Sequence, residues 1–258
     1  MRRRRGVRAK SETRKAKLEK RNSKSETRKA KLFTEGVRCR QDGAFGKPES
    51  EKCEMKIGIL AIQGDFEAHA RVLEKLGVEY VFVRTPEDLH GIDGLILPGG
   101  ESTTHMKMLA ETGLDEAIRK LAGNGGAFFG TCAGAILLAR EVKGPQQASL
   151  GLMDITVVRN AYGRQVASDV FLLPTKLSEQ PLEMVFIRAP IIEAVGKDVE
   201  VLAERNGKPV LVQQGRMIAA TFHPELTGDT KIHERFVKLA EKAVMSEASS
   251  QSKVESRK

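Results

Sequence analysis

The chain has 258 residues, no tryptophan and only three cysteines, Cys39, Cys53 and Cys132. Three cysteines do not make the even, closely spaced set of a disulfide framework, so we expect a reducing compartment, the cytoplasm. The sequence also lacks any run of about 18 apolar residues that could cross a bilayer. Its basic start, MRRRRGVRAK, has no apolar segment after it and is no secretory signal. We therefore predict a soluble cytoplasmic protein without membrane association.

Charge is distributed unevenly along the chain. Of the 43 Lys and Arg and the 34 Asp and Glu, 19 basic and 8 acidic residues lie in 1–54, which leaves 24 and 26 for 55–258. The formal net charge of +9 therefore comes from the first 54 residues and not from the body, so it gives no reason to treat the body as a nucleic-acid-binding surface.

The first 54 residues form a basic leader that contains the segment KSETRKAKL twice, at 10–18 and 24–32. Each copy has one leucine and one alanine to bury, so we predict that the leader is disordered. A second interpretation takes it as sequence translated from a start codon placed too early, because Met55 opens the first predicted strand directly. The alternative is a nucleic-acid-binding arm, since clustered Lys and Arg bind phosphates, although no aromatic residue precedes Phe33. Cysteines in this leader are assigned no role.

From Met55 onward, short apolar runs alternate with segments of helical spacing. The first predicted strands are 56–62, 79–84, 94–100 and 126–130, and the helical segments between and after them are 65–77, 103–122 and 133–142. Further strands are predicted at 153–160, 168–174, 183–190, 199–207, 208–215 and 216–224, with a closing helix at 229–244. This alternation predicts one α/β domain over 55–245, with a parallel sheet covered by helices, followed by a polar disordered tail over 246–258.

Cys132 lies where a predicted strand meets a predicted helix, in the segment GTCAG of residues 130–134. G-x-nucleophile-x-G is the pattern of a nucleophile elbow, a tight turn that presents a side chain at the carboxyl edge of a parallel sheet. The start of the following helix favours an anionic sulfur, and the Ala133 N–H can bind a developing oxyanion. The alternative is a structural cysteine packed as a small apolar residue, which this motif alone leaves open.

The segment TFHPE supplies a base and an orienting carboxylate, His223 and Glu225. In an extended segment these two side chains share a face, so Glu225 can hold one imidazole nitrogen while the other faces Cys132. Pro224 is expected to keep the segment out of a helix. Because the motif ends the last predicted strand, it belongs to the same sheet edge as Cys132. A Cys–His–Glu triad is the prediction, and an incidental surface pair is the alternative.

The other four histidines of the body are assigned no catalytic part. His69 and His233 lie in helical patterns and are expected to face solvent or a partner. His105 follows the glycine-containing loop and is expected at the surface near the site. His90 lies in the polar link EDLHGID.

A second loop at the predicted edge, LPGGESTT of residues 97–104, contains two adjacent glycines. Glycines allow backbone to approach a ligand closely, and the amides here could supply a second oxyanion donor. Ser102 or Thr103 is expected to cap the next helix. Glu101, paired with a basic residue, would suit a zwitterionic amino acid. Neither G-K-[ST] nor G-x-G-x-x-G occurs, so a P-loop and a dinucleotide site are not predicted.

Six segments together resemble a known family: LAIQGDFEAH, GLILPGGESTT, FGTCAG, RNAYGRQ, VFIRAP and FHPELT. The cysteine and histidine motifs are similar to those of class I glutamine amidotransferases in general. PGGEST, RNAYGRQ and FIRAP narrow the resemblance to the glutaminase subunit of pyridoxal 5′-phosphate synthase. The resemblance covers 55–245 and implies a single-domain, flavodoxin-like fold, with a mostly parallel central sheet flanked by helices.

The resemblance implies that Cys132 is the nucleophile, His223 the base and acid, and Glu225 its orienting residue. The implied oxyanion hole consists of Gly99, Gly100 and Ala133. The implied glutamine-binding residues are Gly100, Glu101, Ser102, Arg159, Ile187 and Arg188. Two positions depart from the family pattern, Ala135 in place of a larger aliphatic residue and Ala68 in place of a glutamate. Ala68 lies in the region where the family meets its synthase.

The implied reaction is hydrolysis of L-glutamine to L-glutamate and ammonia through a thioester, with no metal and no cofactor. No acceptor domain is predicted, so ammonia is expected to pass to a partner, the barrel-shaped synthase subunit, in a hetero-oligomer. The partner is expected to order the oxyanion hole. The alternatives are a glutaminase subunit of another synthase, such as that of histidine biosynthesis, a different cysteine-elbow hydrolase, or a nucleic-acid-binding protein that acts through its leader.

Overall fold

A computed structural model describes residues 55–159 and 168–241. The predicted leader, with the interpretations attached to it, and the predicted tail both lie outside the described residues. Within the described ranges, no helix is long and apolar enough to span a membrane.

The described residues form twelve strands, five helices and two short 3₁₀ turns. The strands are β1 Lys56–Leu60, β2 Glu79–Val83, β3 Gly94–Leu97, β4 Ala127–Thr131, β5 Ala139–Lys143, β6 Met153–Val158, β7 Ser168–Thr175, β8 Ser178–Ile187, β9 Ile191–Val195, β10 Glu200–Arg205, β11 Lys208–Gln214 and β12 Met217–Ala220. The helices are α1 Phe66–Leu76, α2 Ser102–Thr112, α3 Leu114–Gly123, α4 Ala133–Leu138 and α5, which covers 231–241; the 3₁₀ turns are Pro86–Leu89 and Pro224–Leu226.

Seven strands form the central sheet in the order β10-β11-β12-β4-β3-β1-β2. Pairing is parallel from β12 through β2, and the two pairs at the other edge, β10 with β11 and β11 with β12, are antiparallel. β1, β3 and β4 are almost entirely buried, as expected for strands covered on both faces. The predicted α/β fold with a mostly parallel sheet is confirmed.

Two smaller sheets complete the domain, one of β5, β6 and β9 and a hairpin of β7 and β8. The predicted helix over 133–142 is wrong in its second half, because α4 ends at Leu138 and Ala139 starts β5. All six residues of α4 are buried, and the chain passes without a turn residue into the segment AREVK, which pairs with β6. β9 has no counterpart among the predicted strands.

Glycines end the first two helices. Gly77, with φ 67°, ends α1 as predicted, and its N–H donates to the Glu74 carbonyl. Gly113, with φ 72°, divides the predicted helical segment 103–122 into α2 and α3. The left-handed conformation at each position is one that glycine adopts at little cost.

Candidate active site

Three adjacent parallel strands, β3, β4 and β12, bring the predicted catalytic groups together. Thr131 at the end of β4 pairs with Ala220 on one side, and Gly130 pairs with Leu97 on the other. The loops after these strands therefore leave the same edge of the sheet side by side. Cys132 comes from the central strand, His223 from one neighbour and the two adjacent glycines from the other.

Cys132 occupies a strained turn between β4 and α4. Its φ of 49° and ψ of −103° are unfavourable for a residue with a side chain. The Cys132 N–H donates to the Ala220 carbonyl at 2.8 Å, which ties the turn to β12. Its Sγ lies 3.8 Å from the Ile187 carbonyl oxygen, and the residue is 7% exposed. The sulfur therefore has a fixed position beside a pocket.

The glycines on either side of Cys132 are required by close packing of α4 against the sheet. A Cβ on Gly130 would lie 2.5 Å from the Gly134 carbonyl carbon and oxygen. A Cβ on Gly134 would overlap the Leu97 carbonyl oxygen of β3. Glycine at both positions therefore allows α4 to start directly where β4 ends. This places Cys132 in the turn between them.

His223 and Glu225 form a buried pair, with His223 Nδ1 2.7 Å from Glu225 Oε1. The expectation of an extended segment is wrong, because Pro224 starts a 3₁₀ turn over Pro224–Leu226. Proline is compatible with the first position of a helix, where no N–H donor is needed. The His223 N–H donates to the Val185 carbonyl of β8 at 2.8 Å, and this bond fixes the start of the turn.

The pair has a charge distribution suited to acid–base chemistry. Burial lowers the pKa of His223, but its hydrogen bonds with Cys132 and Glu225 outweigh burial and raise that pKa to about 10. Burial raises the pKa of the Glu225 carboxyl, but the nearby His69 and His223 lower it by more. The net result is a lowered pKa. Glu225 is therefore ionised and His223 protonated at neutral pH.

The glycine loop packs directly against the His223 ring. A Cβ on Gly99 would lie 2.5 Å from His223 Cε1, and Gly100 has φ 141°, a conformation open essentially to glycine alone. A Cβ on Gly64 would overlap the Gly99 carbonyl oxygen, so that oxygen is directed at Gly64. Ala133 begins α4, where its N–H has no intrahelical acceptor.

Glu101 caps α2, which corrects the expectation that Ser102 or Thr103 would do so. Its carboxylate accepts from Thr103 N at 3.2 Å and from Thr104 N at 2.7 Å. Burial raises the pKa of Glu101, but hydrogen bonds from these threonines lower it to about 2. The same carboxylate lies 3.1 Å from Arg159 Nη2, which is the basic residue expected opposite it.

One pocket contains most of the residues predicted from the sequence. Its lining consists of Gly100, Glu101, Ser102, Cys132, Ala133, Ile136, Arg159, Ile187, Arg188, Pro190 and His223. Glu225 lies behind His223, and Gly99 lies against its ring. Sequence reasoning misses Ile136 and Pro190, because an apolar lining residue has no distinctive sequence signal. In the described part of the chain, no three His, Cys, Asp or Glu residues are placed to hold a metal ion.

Three histidines expected at the surface are instead fully buried, namely His69, His105 and His233. His69 and His233 contact each other beneath the triad, Nδ1 to Nε2 at 3.0 Å. His105 lies against Gly100 and pairs through Nε2 with the Gln63 carbonyl at 3.2 Å. Each ring is buried by elements far away in the sequence, which helical spacing does not reveal. His90 is exposed.

The two departures from the family pattern are both internal. Ala68 is 1% exposed on α1, and Ala135 is fully buried on the side of α4 that faces the core. The methyl group of Ala68 is therefore covered within the chain itself and does not form part of the outer surface of α1.

Comparison with known proteins matches residues 59–242 to the SNO glutamine amidotransferase family. A pyridoxal 5′-phosphate synthase subunit PdxT from Koribacter versatilis is 56% identical over 185 residues, which are 72% of this chain and 95% of the relative. The subunit of the same name from Thermotoga maritima is 50% identical over 186 residues, 72% of this chain and 99% of the relative.

Solved structures give the same picture of the fold. A crystal structure of a glutamine amidotransferase superposes with a TM-score of 0.68 at 48% identity, covering 71% of this chain and 98% of its own. A putative GMP synthase subunit from Thermoplasma acidophilum has a TM-score of 0.56 at 18% identity, covering 76% and 98%, and supports the fold alone.

Proposed function

The chain belongs to the SNO glutamine amidotransferase family, and from that premise we propose that Cys132, His223 and Glu225 hydrolyse L-glutamine and that the ammonia serves a pyridoxal 5′-phosphate synthase. One observation carries the residue assignment. The strained Cys132 turn and the His223–Glu225 pair, with Nδ1 to Oε1 at 2.7 Å, meet at one pocket. Nucleophile, base and orienting carboxylate in this order are the parts of a covalent hydrolase.

In the first step, the Cys132 sulfur attacks the side-chain amide carbon of glutamine. The C–S bond forms as the carbonyl π electrons move to oxygen, and N–H groups of Ala133 and the Gly99–Gly100 loop bind the oxyanion. His223, protonated at neutral pH, then gives its proton to the amide nitrogen. The C–N bond breaks, ammonia leaves and a glutamyl thioester remains on Cys132.

In the second step, the now neutral imidazole accepts a proton from water as the water oxygen attacks the thioester carbon. The C–S bond breaks and L-glutamate leaves, so the deprotonated sulfur of Cys132 and the protonated His223 with which the reaction began are both restored. Glu225 holds Nδ1 throughout, so the imidazole keeps the same face toward the sulfur in both steps.

The pocket mouth suits the two charged ends of a free amino acid. Glu101 and Arg159 both line it and form an ion pair at 3.1 Å. The Glu101 carboxylate can accept from the substrate α-ammonium, and the Arg159 guanidinium can donate to the α-carboxylate. The Ser102 hydroxyl, already within 3.1 Å of Gln147 Oε1, is a further polar group at this wall. Such a site selects a zwitterion over a neutral amide.

The partner proposed for this chain is the barrel-shaped synthase subunit, in a hetero-oligomer. Support comes from relatives at 47–56% identity that are named as subunits of pyridoxal 5′-phosphate synthase. Ammonia released in solution would be protonated and lost, and a partner chain that receives it directly would prevent that loss. The partner is further proposed to order the Gly99–Gly100 loop and so to raise the activity.

The test is glutamine-dependent ammonia release by the full chain, alone and with the pyridoxal 5′-phosphate synthase subunit of the same organism, with Cys132→Ala as control. Activity that appears with the partner and is absent from the variant supports the whole proposal. Activity without any response to that subunit, but with a response to a synthase of histidine biosynthesis, would redirect the pathway. No activity under any of these conditions would overturn the glutaminase assignment.

A further inference from the structure

Beneath the triad lies a group of buried polar side chains that the proposed hydrolysis does not use. We call His69, Thr131 and His233 the buried histidine network; all three are fully buried. They come from α1, β4 and α5, respectively, and His69 contacts both others. Buried polar groups destabilise a fold unless they are paired, so the partners of each of these polar atoms decide what the network does.

The network faces the oxygen of Glu225 that the triad leaves free. His223 Nδ1 is hydrogen-bonded to Oε1, whereas Oε2 is buried and makes no hydrogen bond within the described residues. His69 Nε2 lies 3.6 Å from Oε2, and both side chains are fully buried. This distance exceeds a hydrogen bond, but water is excluded, so the electrostatic contact is only weakly screened.

The position of the His69 proton follows from its contact with His233. If His69 Nδ1 donated to His233 Nε2, the lone pair on His69 Nε2 would face the Glu225 carboxylate, and His233 Nδ1 would carry a buried N–H without an acceptor. If His233 Nε2 donates instead, His69 carries its proton on Nε2, which lies 3.2 Å from the Thr131 hydroxyl and 3.6 Å from Glu225 Oε2, so the N–H lies between these two oxygens. The second arrangement avoids both penalties.

The groups around His69 keep it neutral. Burial lowers its pKa, and the attraction of Glu225, with a smaller effect of Asp65, does not overcome burial and the repulsion of His223. Burial also lowers the pKa of His233 well below its usual value. A neutral His69 acts on Glu225 through the dipole of an N–H group. It therefore stabilises the carboxylate without cancelling the negative charge that His223 needs.

We infer that His69 is a positioning residue of the triad, whose Nε2–H fixes the free oxygen of Glu225 and thereby the carboxylate that orients His223, while His233 sets the tautomer of His69. The inference rests on the proposed function. Hydrogen bonds of this kind are often long in an unliganded site and shorten when substrate is bound. Through this contact, α1 and α5 hold the catalytic carboxylate from the side opposite the pocket.

The first test determines the tautomer in the unaltered full chain. Long-range ¹H–¹⁵N NMR spectra of the histidine side chains distinguish Nδ1–H, Nε2–H and doubly protonated rings. The expected result is a neutral His69 with its proton on Nε2 at pH 7. A proton on Nδ1, or a doubly protonated ring, would overturn the inference without any variant having to fold.

The second test compares His69→Leu, His69→Gln and Leu73→Ala. Leucine removes the donor, glutamine can place an N–H near the site of Nε2–H, and Leu73, fully buried on α1, is a packing control away from the triad. Alkylation of Cys132 by iodoacetamide is followed across pH on the peptide that contains this residue. Ammonia release from glutamine with the synthase gives kcat and KM.

The acid limb of the profile is the pH range in which alkylation of Cys132 slows as the pH falls. For His69→Leu, this limb should shift to higher pH by about one unit, because Glu225 then protonates more readily and no longer holds His223. Its kcat should fall about 10- to 100-fold with little change in KM, as for other residues that orient a catalytic group. His69→Gln should restore most of both. Leu73→Ala should lower the melting temperature and leave the acid limb in place.

An acid limb that His69→Leu leaves unmoved, with only a lower melting temperature as in Leu73→Ala, would reduce His69 to a packing residue and overturn the inference. Failure of the wild-type chain to hydrolyse glutamine would be a different result. It would count against the proposed function, while the NMR spectra and the alkylation profile would still decide the role of His69.

Discussion

Gly99 and His223 are in such close contact that a methyl group on Gly99 would lie 2.5 Å from the imidazole Cε1. The loop proposed to bind the oxyanion and the residue proposed to move the proton are therefore packed against each other. A shift of one requires a shift of the other. This contact offers a simple physical route by which a partner that orders the loop would also adjust the base.

Gly99→Ala should displace the imidazole, because the added methyl group would overlap it. The displaced ring is no longer aligned with the Cys132 sulfur, so kcat/KM for glutamine should fall by about 100-fold or more. Steady-state ammonia release measures the effect. Gly123→Ala is the matched control, since a Cβ at Gly123 meets no atom within 4 Å. Equal activity in the two variants would show that the base tolerates displacement.

The strained turn at Cys132 should make a glycine variant more stable than an alanine variant, the reverse of the usual order of stability. Alanine normally gives the more stable protein, but φ 49° and ψ −103° penalise any side chain at this position. We expect Cys132→Gly to be more stable than Cys132→Ala by about 1 kcal/mol in denaturant unfolding, with both variants inactive. The usual order, alanine above glycine, would mean that the turn relaxes once the sulfur is removed.

Arg159→Met should weaken glutamine binding more than it slows the chemistry. The variant removes the guanidinium that we propose binds the substrate α-carboxylate, so KM should rise about 10- to 100-fold while kcat changes little. Arg140→Met serves as the control, because Arg140 pairs with Asp154 on the surface at 2.7 Å and lies outside the pocket lining. A loss confined to kcat would place Arg159 in the chemical step instead.

Stability at low pH should reflect the cap of α2. The pKa of Glu101 is lowered to about 2, so its contribution is present above the ordinary value of 4.5 and is lost as pH falls through about 2. Between these values, wild type should lose unfolding free energy more steeply than Glu101→Gln. Glu111→Gln, which alters an exposed carboxylate of the same helix, should follow wild type. Parallel curves for Glu101→Gln and wild type would remove Glu101 from this role.

The nucleophile turn is predictable because its determinants are local. Cys132 is placed by the two glycines within two residues of it and by an apolar strand and helix on either side. The alternation of strands and helices likewise predicts a mostly parallel sheet, although it does not give the order of the strands. The same logic locates His223, whose motif directly follows a strand.

What could not be predicted depends on residues that are distant in the sequence. His69 contacts His233 across 164 positions, so neither helix pattern indicates that its histidine is buried. No glycine or proline separates α4 from β5, and pairing with β6 decides that Ala139 leaves the helix. The sequence indicates a ligand-binding role for Glu101 and not its cap of α2, because the hydrogen bonds of the cap depend on where that helix begins.

The most direct test of the central claim is mass spectrometry of the enzyme quenched in acid during turnover of L-glutamine with the synthase. Attack by Cys132 predicts a glutamyl thioester on the peptide that contains this residue, and no adduct on that peptide in Cys132→Ala. Ammonia release at the wild-type rate by Cys132→Ala, or an adduct on a different residue, would contradict the account.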